Sequence, residues 1–159
     1  MGLNPIPKGY HSVTAHLIVD NAAAAIDFYR EAFGAQELFR LPMPDGAGGE
    51  KLGHAEVLIG DSHLMLSDEW PEMGALGPKS RGGASAGFLI YVPDVDRAYQ
   101  RAIDAGGRVD RPVADQFWSD RMGSLIDPFG HKWMLATNVE DVPPDELQAR
   151  MAVWAQQQG

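Results

Sequence analysis

Residues 12–34, SVTAHLIVDNAAAAIDFYREAFG, contain a strand, a cap and a helix in one continuous run, and the chain later repeats that pattern. Residues 12–19 are apolar and β-branched, a composition that fits an extended strand. Asp20-Asn21 closes the run as a turn and offers a helix N-cap. Ala22, Ala25, Ile26, Tyr29 and Phe33 then recur at helical spacing, one apolar stripe that ends at Gly34. Residues 36–41 predict a second strand cut by Pro42, followed by a flexible hairpin or loop over 42–51. Residues 54–59 and 63–67 predict two more strands, joined by the turn Gly60-Asp61-Ser62.

The second pass opens with AGFLIYV at 86–92, and Asp94 can cap the next helix. Its stripe is Val95, Ala98, Tyr99 and Ala102, ending at Gly106-Gly107. Strands follow at 108–113, 119–126 and 132–137, the last two joined by Asp127-Pro128-Phe129-Gly130. Val19 matches Val92 at an offset of 73, and Leu64-Met65-Leu66 matches Trp133-Met134-Leu135 at an offset of 69. Ordered agreement across five elements marks a duplication. The predicted fold class is therefore α+β: two tandem βαβββ modules over 12–68 and 86–138. A Gly- and Pro-rich linker spans 69–85. A C-terminal helix over 143–157 carries Leu147, Met151 and Trp154 on one face.

At 159 residues the chain can bury one substantial core or two small modules that share one. The apolar fraction of 45% is ordinary for a soluble globular protein. A net charge of -9 and a pI near 4.8 argue against nucleic acid or an anionic membrane surface as partner. With no cysteine, disulfides, thiolate catalysis and Cys-zinc sites are excluded. The N-terminal MGLNPIPKGY lacks the apolar core of a signal peptide, and no stretch reaches the ~20 apolar residues of a membrane helix. A cytoplasmic location is the expectation.

The segments AIDFY at 25–29, FGA at 33–35, HAE at 54–56 and IGDS at 59–62 carry a family resemblance, together with FWSDR at 117–121 and DPFGHKW at 127–133. Over about 12–138 the chain resembles the vicinal oxygen chelate superfamily, which includes glyoxalase I, bleomycin-resistance proteins and extradiol dioxygenases. Within it the motifs look like the PhnB-like branch. The resemblance implies two modules whose curved mixed sheets pair around a cavity, within one chain or by exchange between two, and a homodimer. It also implies four inward-facing ligand positions, which fall here on Thr14, Met65, Gly87 and Met134. Divalent centres want imidazole nitrogen or carboxylate oxygen, whereas a thioether is a soft ligand. No metal and no other cofactor is therefore expected at those positions.

Strand alternation would place Thr14, His16, Met65, Ser67, Leu89, Tyr91, Lys132 and Met134 on the cavity side. The helix-facing core would be Val13, Leu17, Val19, Leu64, Leu66, Phe88, Ile90, Trp133 and Leu135. His16 and His63 fit either a slipped metal site or, respectively, a hydrogen-bonding wall and a wet strand end, and no carboxylate shares those two strands in phase. His54 and Glu56 share one strand face, as an acid/base pair or as a solvated edge. His131 in its turn reads as capping or exposed. Arg121 reads either as an ion pair with Asp120 or as the partner of an anionic ligand. Trp118 reads as a stacking surface for a planar ligand or as core. The candidate ligand-binding set is thus Thr14, His16, Met65, Leu89, Tyr91, Trp118, Arg121 and Met134.

An apolar lining with a few polar tips is the usual make-up of a small-molecule pocket. The expected function is binding of a small hydrophobic or aromatic molecule without a metal. The alternative is a lyase, isomerase or dioxygenase-type enzyme using a displaced metal or histidine acid/base chemistry, with His16 or His54 as base.

Overall fold

The structure, a computed structural model, describes residues 4–158. Two compact units are present: the chain up to Ser85 with Pro128–His131, and Ala86–Asp127 with the chain from Lys132 onward.

In the first unit, β1 (Ala15–Val19) leads into α1 (Ala22–Phe33), followed by β2 (Gln36–Pro44), β3 (Glu50–Ile59) and β4 (Ser62–Asp68). The sheet order is β1-β4-β3-β2, with β1 parallel to β4 and the other pairs antiparallel. Asn21 caps α1 by accepting from the Ala24 N–H at 3.0 Å, and Asp68 accepts the Ala22 N–H at 2.8 Å. Gly34 ends the helix at φ 69°, a left-handed conformation that costs a side-chain-bearing residue more than it costs glycine. Ala22, Ala25, Ile26, Tyr29 and Ala32 are buried, as are Leu17, Val19, Ala55, Val57, Leu64 and Leu66 on the sheet.

The segment read as a linker is ordered within this first unit. It holds a 3-10 turn (Pro71–Met73) and the short helix α2 (Pro78–Arg81), and Trp70 is buried. Phe129 is also buried there, its ring 6.4 Å from those of Phe28 and Tyr29.

In the second unit β5 (Gly87–Tyr91), α3 (Val95–Asp104), β6 (Arg108–Asp115), β7 (Asp120–Ile126) and β8 (Lys132–Asn138) repeat the scheme, ordered β5-β8-β7-β6. Asp94 caps α3 through the Arg97 N–H at 3.1 Å. Val95, Tyr99 and Ala102 pack against Leu125, Trp133 and Leu135, and the Tyr99 hydroxyl donates to Ser124 O at 3.0 Å. Trp133 Nε1 donates to buried Asp127 at 2.9 Å, which fixes the end of β7. The two copies share one register: Ala15 pairs with Leu64 as Phe88 pairs with Trp133, matching the offsets of 73 and 69. Glu56 opposite Met65 therefore corresponds to Ser124 opposite Met134.

Two expectations about the strands need correcting. Pro42 does not end β2, which continues to Pro44 through a register shift between Leu41 and Pro42. As the outermost strand it is paired on one side only, where an edge strand tolerates the missing proline N–H. Val13 is not core but 87% exposed, because the chain joins the sheet only at Ala15.

The C-terminal helix α4 (Pro144–Gln157) has no buried residue. Arg150 ties it to the unit through Glu140 at 3.0 Å and the Ser119 hydroxyl at 3.2 Å. Ser119 holds φ 79°, the one non-glycine at positive φ among the described residues. The Phe117 and Trp154 rings stand 5.5 Å apart and, with Val153 and Arg150, line a groove of ≈ 370 Å³.

Candidate functional site

On the first unit's sheet, the face turned away from α1 brings together His16, His54, Glu56 and His63. Strand pairing sets His16, Met65, Glu56 and Phe39 in one row across β1, β4, β3 and β2. Successive residues point to opposite faces, so His54 joins Glu56, and His63 joins Met65. The result is a carboxylate ringed by hydrogen-bond donors. Glu56 is buried, and Tyr10 Oη donates to its Oε2. His54 Nε2 lies 3.3 Å from Oε1. His63 Nδ1 lies 3.6 Å from Oε2, beyond a hydrogen bond, and is buried without a hydrogen-bond partner.

Tyr10 also stacks on His63 with ring centroids 3.9 Å apart. Gly9 (φ 89°) turns the chain to bring it there. His54 stands between two rings, His16 at 5.9 Å and Phe39 at 5.8 Å.

The electrostatics follow from these contacts. Burial alone would raise the Glu56 pKa, but the bonds from Tyr10 and His54 outweigh it and hold the carboxyl below its ordinary value. The same bond to Glu56, then burial, pushes the Tyr10 phenol up. His16 keeps an exposed edge, yet partial burial of its ring and then the neighbouring His54 lower its pKa. Its neutral form is favoured.

In the second unit the corresponding face carries Leu89, Tyr91, Met122 and Met134, with Leu89 and Tyr91 exposed. The Tyr91 hydroxyl donates to Asp120 at 3.0 Å, which raises the phenol's pKa. Lys132 and Ser124 both reach Asp110, at 2.8 and 2.7 Å, and hold its carboxyl low.

The sequence-predicted site residues divide accordingly. His16 and Met65 share the first unit's face, and Leu89, Tyr91 and Met134 that of the second. Thr14 precedes β1, in step with His16 but outside the ladder. Arg121 stands on the other face: its guanidinium bonds Asp96 at 2.7 and 2.8 Å and Asp115 at 3.1 Å. Those bonds raise its pKa and lower that of Asp96. The Asp120–Arg121 ion pair does not form, since adjacent strand residues point apart, and Asp120 instead meets Tyr91 and Asn138. Trp118 packs edge-on to Phe117 in the turn before β7. His63 is no wet strand end but half-buried beneath Tyr10. His131 is half-buried, its Nε2 3.0 Å from Ile18 O. No carboxylate on β1 or β4 is in phase with His16 and His63, but β3 supplies one, Glu56. Tyr10 is the residue that the sequence reading missed, because it lies in an irregular segment with no periodicity.

Comparison with known proteins bears on this arrangement. The family model described as "Glyoxalase/Bleomycin resistance protein/Dioxygenase superfamily" matches residues 10–135. The chain belongs to that superfamily. An uncharacterized protein of Mycobacterium tuberculosis is 45% identical to it over 144 residues, covering 89% of this chain and 82% of the relative. The crystal structure of TioX from Micromonospora sp. ML1 superposes with a TM-score of 0.62 at 24% identity, covering 81% of this chain and 99% of that one. A PhnB protein from Bacillus cereus gives 0.63 at 16% identity, covering 80% and 99%. At these identities the solved structures speak for the fold alone.

The superfamily's enzymes hold a divalent metal, and the residues at the four positions that the family resemblance assigns to it do not fit one. Thr14, Met65, Gly87 and Met134 offer no imidazole or carboxylate. Among the described residues no three His, Asp or Glu side chains are placed to hold an ion.

Proposed function

We propose that this chain binds a small hydrophobic or aromatic molecule on the helix-free faces of its sheets, without the superfamily's usual metal. The observation that carries the reading is the make-up of those faces. Phe39, Leu41, Leu89 and Tyr91 are exposed apolar or aromatic side chains, Met65 and Met134 are adaptable walls, and a few polar tips interrupt them. A thermal-shift screen against aromatic metabolites and antibiotics tests it. Stabilisation by at least one chemical class is expected, and a flat response across a broad panel rejects the reading. Metal analysis of purified protein is the second test. Stoichiometric zinc, nickel, manganese or iron that disappears in His16→Ala would overturn the metal-free assignment.

A second reading, an enzyme of the lyase, isomerase or dioxygenase type, draws support from one observation: buried Glu56 engages His54 as a carboxylate engages a catalytic imidazole. Turnover of a bound ligand that His54→Ala abolishes would favour it. Cytoplasmic residence and a homodimer complete the proposal. Met151, Val153 and Trp154 on α4 are exposed and available for association. No helix among the described residues is long and apolar enough to cross a membrane. A single-chain mass in sedimentation at micromolar concentration would reject the dimer.

A further inference from the structure

We infer that His54 is the recognition point for a planar ligand bearing a weakly acidic O–H, a phenol or an enol, and that it takes that proton. The inference rests on the binding reading above and names the class of molecule.

The Glu56 carboxylate is ionised and can only accept, so the His54 nitrogen facing it, Nε2, carries the hydrogen. In the neutral imidazole that fixes the tautomer and leaves Nδ1 with a lone pair. Nδ1 has no protein partner among the described residues, and the His54 side chain is 30% exposed, so a ligand can reach it. Tyr10 occupies Oε2 and leaves Oε1 to His54, which aims the imidazole. Around this acceptor the surface is flat and apolar. His16 stacks at 5.9 Å with planes 12° apart, Phe39 stands at 5.8 Å, and Leu41 pairs across from His54 on the edge strand. An aromatic ring can lie against these groups while one polar atom meets Nδ1.

The transfer is balanced. The ligand's O–H bond breaks, its proton forms an N–H bond at Nδ1, and the electron pair stays on the ligand oxygen. The resulting imidazolium faces the Glu56 carboxylate on one side and the ligand's oxyanion on the other, and both stabilise it. Glu56 and Tyr10 are positioning residues. His54 touches the ligand.

The test uses the full chain with para-nitrophenol, whose ionised form is coloured, and its methyl ether para-nitroanisole, which has no proton to give. The phenol is expected to bind about tenfold more tightly than the ether, the worth of one added hydrogen bond to a charged pair. Bound phenol should show the phenolate band at a pH where the free phenol is mostly protonated. His54→Leu should erase the band and bring the two affinities together. Glu56→Gln should weaken the band while leaving the affinity for the ether in place. Glu56→Asp, whose shorter side chain draws the carboxylate back from His54 Nε2, serves the same purpose if the buried Gln variant folds poorly. Equal affinity for the two probes in the parent protein, or a phenolate band that survives His54→Leu, overturns the inference and leaves the binding reading standing. Failure to bind either probe overturns the inference and counts against aromatic binding as well.

Discussion

Glu56 is charged where burial would keep a carboxyl neutral, and that state belongs to its donors rather than to solvent. The Tyr10 bond links two shifts of opposite sign. The Glu56 pKa is lowered in the fold, so its contribution to stability is complete above the ordinary carboxylate range and is lost as pH falls below it. The Tyr10 pKa is raised, so its contribution is complete below the ordinary tyrosine range and is lost as pH rises past it. The melting temperature of Tyr10→Phe, measured against pH, should therefore lie below that of the parent by a constant margin through the neutral range. The margin should close at both the acid and alkaline ends. Asp68 offers a second check at this scale. Its two oxygens accept the buried Ala22 and Leu52 amides at 2.8 and 2.6 Å. Asp68→Ala would orphan both donors, and denaturant unfolding should show a loss of roughly 2–5 kcal/mol.

Elements were legible in the sequence wherever their signal was local. Asn21 and Gly34 bracket α1 because the side chain of one accepts the Ala24 N–H and the other tolerates a left-handed turn, and both properties are written in single residues. The repeat was legible because Leu64–Leu66 and Trp133–Leu135 obey one strand phase. What escaped depended on neighbours. Pro42 reads as a stop until β2 is known to be the outer strand. Arg121 reads as a partner of Asp120 or of an anionic ligand until the first turn of α3 brings Asp96 to it. Half of the candidate site was readable from alternation. Tyr10 was not, since nothing in a non-repeating segment announces which side chain will fold back over β4. Packing between α3 and its sheet gives a prediction here. A Cβ at Gly123 would stand 2.9 Å from atoms of Tyr99 and Val113. Gly123→Ala should destabilise the protein by roughly 1–3 kcal/mol through overpacking, visible as a lower urea midpoint with an unchanged slope.

Across the whole chain, stability is unevenly shared. The two sheets carry buried cores, whereas α4 has no fully buried residue and is fastened by the Arg150 network with Glu140, Glu146 and Ser119. Arg150→Met should leave the melting of the sheets intact and strip protection from residues 144–157, a change that hydrogen exchange read by mass spectrometry resolves. If protection of α4 survives the substitution, contacts other than this network hold the helix.

The matched rungs of the two copies, Glu56 in one and Ser124 in the other, have a longer consequence. Folding instructions sit on the α1 and α3 sides of the ribbons, and reactive groups on the reverse. A duplicated gene can therefore rewrite its chemistry one rung at a time, with mutational drift on the reverse side scarcely felt by the helices. Divergence of activity among such chains should then outpace divergence of their backbones.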